Sequence, residues 1–160
     1  MSNHLDDLLR CGRISSVPVT LGPRDNIFRR MFWTTECEQW CMEIIGSQPH
    51  QPSKFPYDQQ LNQAFADFVT GRPLTGMTKC DPPKGQALWR IKTPDLRLYG
   101  WAPAQQTLIL CCAELKSVLK KPGPPKDKDL GNRVVAQRKD LGLNKPVYGE
   151  IYDVFPQRLG

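Results

Sequence analysis

The segment Leu88–Leu115 most constrains what this chain can fold into. It opens with Leu88-Trp89-Arg90-Ile91-Lys92, reaches Thr93-Pro94-Asp95-Leu96, and continues through Arg97-Leu98-Tyr99-Gly100-Trp101. Pro at the second turn position and Asp at the third suit a type I turn, so the flanking runs form a β-hairpin. Counting outward from a tight turn pairs Lys92 with Arg97, Ile91 with Leu98, Arg90 with Tyr99 and Trp89 with Gly100. Side chains alternate along a strand. Trp89, Ile91 and Leu98 therefore share one face, and Arg90, Lys92, Arg97 and Tyr99 share the other. A slip of one residue would mix the two sets, which favours this register. The next run, Leu108–Leu115, is apolar on both alternating sets of positions and suits a central strand covered on both faces.

The rest of the chain supplies elements to pack on these strands. Residues 1–27 read as a partly ordered arm with a short helix over Asn3–Cys11. Phe28–Thr34 reads as a strand rich in aromatics. Thr35 and Glu38 fit a capping box, and the helix that follows carries Cys37, Trp40, Cys41 and Ile44 on one side as far as Ile45 and Gly46. Pro49, Pro52 and Pro56 make a loop. Asp58 is the expected N-cap of a second helix with Leu61, Ala64, Phe65 and Phe68 on its apolar stripe, ended by Gly71 and Pro73. Pro122-Gly123-Pro124-Pro125 is a stiff loop. Asp129–Leu141 reads as a helix, and Val147–Phe155 as a last strand with Tyr148 and Tyr152 on one side. The expectation is an α+β fold with a small antiparallel sheet in the order β-α-α-β-β-β-α-β. Two N-terminal helices pack on the sheet, a C-terminal helix joins them, and residues 28–160 form a single domain.

Charge narrows the function classes. The chain has 160 residues and a net charge of +6. Between Lys116 and Lys145 nine cations stand against three anions, Asp127, Asp129 and Asp140, an excess equal to that of the whole chain. Such a concentration favours a polyanionic partner. No run approaches the roughly 18 apolar residues a membrane span needs. The N-terminus lacks the basic and apolar regions of a signal peptide. The chain is expected in the cytoplasm, with no membrane partner and its six cysteines reduced. Cys37 and Cys41 lie one helical turn apart, but no second pair completes a metal site, so none is expected. Cys111 and Cys112, adjacent on a strand, should point to opposite faces. No Ser/His/Asp arrangement or glycine-rich phosphate loop is present. His4 in the arm and His50 in the proline-rich loop are not placed as general bases.

The element order and the central stretch resemble the RelE/ParE superfamily of bacterial toxins, most closely its HigB-type, phage-derived branch. The motifs concerned are Leu88-Trp89-Arg90-Ile91-Lys92, Leu96-Arg97-Leu98-Tyr99, and the segment Leu115-Lys116-Ser117-Val118-Leu119-Lys120-Lys121-Pro122 leading into a basic helix. The likeness covers about residues 28–142.

That resemblance implies a type II toxin–antitoxin system and cofactor-free, metal-independent cleavage of mRNA, usually on the ribosome. The neighbouring 2′-hydroxyl would attack the scissile phosphate. It assigns Arg90, Lys92, Arg97 and Tyr99 to the catalytic face and Lys116, Lys120, Lys121 and Arg133 to RNA binding. The partners implied are a cognate antitoxin, mRNA and the ribosome. Lys92 opposite Arg97 is a like-charge pair costing up to about 1 kcal/mol, a cost that an anion between them would remove. Tyr99 could stack a base or help move a proton. Three alternatives compete: the four residues form only a solvated sheet face; the chain is a non-catalytic binder or inhibitor of a host protein, as on the gyrase-directed ParE side; or it is a nucleic-acid-binding regulator.

Overall fold

The computed structural model describes residues 4–47, 53–143 and 145–159. Its frame is a six-stranded open sheet in the order β1-β2-β6-β5-β4-β3. The strands are β1 (Ile14–Ser16), β2 (Arg30–Thr34), β3 (Met77–Cys80), β4 (Leu88–Lys92), β5 (Leu96–Ala104) and β6 (Thr107–Leu115). Six helices accompany them: α1 (His4–Arg10), α2 (Thr35–Ser47), α3 (Tyr57–Val69), α4 (Lys116–Leu119), α5 (Asp127–Asp140) and α6 (Ile151–Val154). All strand pairs are antiparallel except β2 with β6, which run parallel because α2 and α3 intervene before the meander β3-β4-β5-β6 returns to β2. The fold is thus mixed α+β, with more strands than expected and one parallel pair.

The hairpin register is the one the turn predicts. Lys92 pairs with Arg97, Ile91 with Leu98, Arg90 with Tyr99 and Trp89 with Gly100. β6 is apolar on both sides because both sides are covered. On one, Leu108, Leu110 and Ala113 join Trp33, Phe65, Phe68, Trp89 and Phe155 under α2, α3 and α6. On the other, Ile109, Cys111 and Cys112 join Leu5, Leu8, Tyr99, Trp101, Leu130 and Val134 under α1 and α5. A register shift between Tyr99 and Gly100 on β5 inserts Cys111 as an extra residue in β6. Such a bulge suspends the alternation. The two cysteines therefore sit in the same core layer rather than on opposite faces.

Several local expectations are corrected. Val147–Phe155 forms no strand. Gly149 takes φ 147°, and the chain turns into α6, where the Asp153 carboxylate accepts a hydrogen bond from the Glu150 N–H at 3.3 Å. Tyr148 and Tyr152 remain exposed. The sheet gains instead from the expected arm: α1 buries Leu5 and Leu8, and β1 pairs with β2. Thr34 rather than Thr35 caps α2, accepting from the Cys37 N–H at 3.3 Å, and the helix continues through Gly46 to Ser47. The α3 helix begins at Tyr57 with Pro56 as its N-cap, which leaves Asp58 in the first turn. His50 and the prolines Pro49 and Pro52 lie outside the described residues.

Arg29, wholly buried and without a carboxylate among the described salt bridges, ties the lower end of the sheet together. Its guanidinium donates to the carbonyls of Phe68, Arg72 and Pro156 at 3.1 Å each. Burial lowers its pKa to about 10, so the cation persists at neutral pH. The carbonyl of Phe68 belongs to the C-terminal turn of α3, where orphan acceptors and the helix dipole favour a cation.

Gly100 is the tightest point of the sheet. A Cβ there would meet the Ile109 carbonyl oxygen at 2.1 Å, backbone that cannot swing aside. Gly100→Ala should therefore lower the unfolding free energy by about 3 kcal/mol, the upper end of overpacking costs. Urea denaturation followed by tryptophan fluorescence would measure it, and an unchanged midpoint would contradict this account of the bulge.

Candidate functional site: a divided row of cations

The structure brings Arg90, Lys92, Arg97 and Tyr99 to one face, as the register requires. That face is not a plain solvated surface. α5 packs Leu130 and Val134 over its lower half, and Tyr99 is wholly buried. Its ring cannot stack an incoming base.

Asp127, the first residue of α5, organises this half. One carboxylate oxygen accepts a hydrogen bond from the Tyr99 hydroxyl, and the other pairs with the Arg90 guanidinium. Arg90 also reaches Thr78 Oγ1 at 3.4 Å. Burial raises the Asp127 pKa, but the bonds from Tyr99 and Arg90 and the charges of Arg90 and Lys92 outweigh it. The carboxyl is held below its ordinary range. Burial and the adjacent carboxylate push the Tyr99 hydroxyl far upward, so it stays neutral. Arg90 and Tyr99 are thus occupied within the protein.

The upper half stays unpaired. Lys92, Arg97, Lys116 and Lys120 form no salt bridge among the described residues. The turn fixes Arg97. The Leu96 N–H donates to Thr93 Oγ1 at 3.0 Å and leaves the Thr93 carbonyl free of it. That carbonyl accepts from Arg97 Nη1 at 2.7 Å, and the Leu96 carbonyl accepts from the same nitrogen at 2.8 Å. The guanidinium is held from one nitrogen, with Nε and Nη2 having no described protein partner. Burial and the nearby Arg90 charge lower the Arg97 pKa.

The turn itself is held by α3. Gln60 Oε1 accepts from Thr93 Oγ1 at 2.6 Å and from the Asp95 N–H at 3.0 Å, while Gln60 Nε2 donates to Asp95 at 2.7 Å. The Ser53 N–H adds a bond to the same carboxylate at 2.7 Å. Burial raises the Asp95 pKa, and these donors more than reverse it, leaving the carboxyl below its ordinary range. The Asp95 carbonyl receives the Lys116 N–H at 2.8 Å, which docks α4 beside the hairpin tip. There the neighbouring Lys120 and Arg97 charges lower the Lys116 pKa.

The three acids of the basic segment are all spent internally. Asp127 serves Arg90 and Tyr99, Asp129 accepts from the Lys126 N–H at 2.7 Å, and Asp140 bridges Arg13 at 2.6 Å. Of the expected RNA-binding residues, Lys116 and Lys120 lie on or next to α4 near Arg97. Lys121 is exposed in the loop beyond, and Arg133 stands on the outer side of α5 in a shallow hollow beside Pro124 and Pro125. His4 is bound to the Leu141 carbonyl at 2.8 Å. Among the described residues no cluster of three or more His, Cys, Asp or Glu could hold a metal ion, and no helix is long and apolar enough to cross a membrane.

The sequence reading missed Asp127, Thr93 and Gln60 as positioning residues. Asp127 had a usable signal. Placing the N-cap at Lys126, with Asp129 three residues on, starts α5 two residues earlier than expected and aims Asp127 at the sheet. Gln60 had none, because its role depends on where the hairpin tip lands.

Comparisons of the chain with protein-family models, with curated proteins and with solved structures find no match.

Replacing Asp127 tests the division of the row. A depressed carboxylate contributes stability that is fully present above its unfolded pKa of about 4 and is lost as pH falls through its lower folded value. Asp127→Asn should cost on the order of 1–2 kcal/mol at pH 7, because a carboxylate still 37% exposed is partly screened. The difference from wild type should vanish towards pH 2. A pH-independent difference in urea midpoints would show that the charge of Asp127 is not what matters.

Proposed function

We propose that this protein is a RelE/HigB-type toxin, an mRNA endoribonuclease of a type II toxin–antitoxin pair that works in the cytoplasm at the ribosome. The observation that carries the reading is the upper half of the row. Lys92, Arg97 and Lys116 gather at the hairpin tip without a salt bridge among the described residues, and Arg97 is fixed by two carbonyls through one nitrogen. A phosphate accepts from a guanidinium held in that way with little loss of side-chain freedom. The likeness of the hairpin motifs to that family gives the face its reaction.

In that reaction the 2′-hydroxyl gives up its proton to solvent water as its oxygen forms a bond to phosphorus, and the 5′-oxygen leaves, so that a 2′,3′-cyclic phosphate remains. Arg97 and Lys92 hold the phosphate oxygens as negative charge grows on them. Lys116, made more acidic by Lys120 and Arg97, gives a proton to the leaving oxygen. Arg90 and Tyr99 do not touch the phosphate. They hold Asp127 and, through it, the start of α5. A cognate antitoxin would silence the protein by covering the exposed cations.

A second reading has one observation in its favour. Asp127 lies beside the row, yet both its oxygens already accept hydrogen bonds and its pKa is depressed, so it is a poor acceptor for the 2′-hydroxyl proton. A non-catalytic binder of an anionic partner would need no such acceptor.

Induced expression in bacteria with mapping of transcript 5′-ends separates the readings. Wild type should arrest growth and create new 5′-ends. Arg97→Ala and Lys92→Ala should each reduce cleavage by about 100-fold, the usual effect of removing a charge-stabilising donor. Growth arrest without new 5′-ends would support the binder, and salt-dependent nucleic-acid affinity without arrest would support a regulator. Arrest and cleavage that survive both substitutions would remove this face from the mechanism.

A further inference from the structure

Arg97 has a neighbour of opposite charge that it does not use. On β6, Glu114 stands directly across from it. Leu98 faces Ala113 and Leu96 faces Leu115 on either side of this pair, and all four side chains belong to the core under α2, α3 and α6. Arg97 and Glu114 therefore share the other face, the one that carries the cation row. The next pair in that direction, Tyr99 with Cys112, lies in the layer under α5.

Side chains opposed in this way have Cβ atoms about 5 Å apart, and opposite charges so placed attract each other. Here no salt bridge joins them. Each is held by backbone instead. Arg97 Nη1 donates to the Thr93 and Leu96 carbonyls, which turns the guanidinium toward the hairpin tip. Glu114 Oε1 accepts from the Leu115 N–H at 2.9 Å, and its second oxygen has no partner among the described residues. A half-buried carboxylate and a half-buried guanidinium thus stand on neighbouring strands, unpaired, each with hydrogen-bonding capacity left. What completes them is a group that accepts from Arg97 and donates to Glu114. The reacting part of an RNA strand does both, because its phosphate oxygens accept and the adjacent 2′-hydroxyl donates. The other acids near the row are engaged elsewhere: Asp127 with Tyr99 and Arg90, and Asp95 with Ser53 and Gln60.

We propose that Glu114 is the proton acceptor of the cleavage reaction and carries the 2′-hydroxyl proton on its way to water. The assignment rests on the proposed action on RNA. The proton passes to the free oxygen of Glu114 as the 2′-oxygen bonds to phosphorus. Arg97, across the strand pair, holds the phosphate oxygens. The bond from phosphorus to the 5′-oxygen breaks, and that oxygen takes a proton from Lys116, which lies two residues beyond Glu114 at the start of α4. Glu114 then gives its proton to water and Lys116 regains one, so both return to their starting charge.

The test is single-turnover cleavage of ribosome-bound mRNA by the purified full chain, together with its affinity for an RNA oligomer methylated at every 2′-oxygen, which cannot be cut. Glu114→Gln keeps an acceptor for the Leu115 N–H, so its thermal midpoint should match wild type. Its cleavage should be slower by about 100-fold, the lower range for loss of a general base, while its affinity for the methylated RNA is unchanged. Glu114→Ala should lose as much, and added formate, a small carboxylate able to enter the space, should recover about tenfold of it. Arg97→Ala should gain nothing from formate. The assignment is overturned, with the nuclease intact, if Glu114→Gln cuts at the wild-type rate, if it loses affinity for the methylated RNA in step with cleavage, or if formate restores nothing to Glu114→Ala. Wild type that binds the RNA and never cuts it would remove the nuclease and the role of Glu114 together.

Discussion

The structure depends on β6 being buried on both faces. A strand apolar on alternate and intervening positions cannot sit at the surface of a two-layer sheet. It needs a layer of helix on each side. α2, α3 and α6 cover one side, and α1 and α5 cover the other. The second layer has a consequence for β5, the neighbour of β6. α5 must cross the face that carries Arg90, Lys92, Arg97 and Tyr99, so part of a cationic row is forced under a helix.

A buried cation without a counterion is costly. The start of α5 supplies the counterion where the helix comes closest, and Asp127 neutralises Arg90 and satisfies the Tyr99 hydroxyl. Beyond the first turn of α5 the row is open, and the fold then supports the cations rather than neutralising them. Thr93 gives up its turn carbonyl to Arg97, and Gln60 holds Thr93 in place.

Much of this was legible in the chain. The turn Thr93–Leu96 and the alternation on either side of it gave the register, because a one-residue slip would have buried charge. The α2 and α3 stripes were legible from helical periodicity. Other parts were not. The β1 strand is only three residues long, Ile14–Ser16, too short for a pattern to show against its loop surroundings. Val147–Phe155 alternates like a strand, yet α6 forms there. The Val147 N–H bonds the Ala102 carbonyl, and Gly149 then turns the chain away. The Cys111 bulge was hidden because a bulge is a property of two paired strands, not of either alone.

By itself the sequence determined the hairpin, its register, the segregation of cations from apolar side chains, and the concentration of positive charge after Lys116. These are local matters, settled by turn chemistry and by the period of two along a strand. Tertiary structure decided which of those cations remain available. Asp127 lies 28 residues from Tyr99 and 37 from Arg90, and Gln60 lies 33 from Thr93, so their meetings depend on where whole helices dock. Packing sets those positions. A charge pattern fixes what a face could bind, and only the packed helices fix which of its charges are already taken.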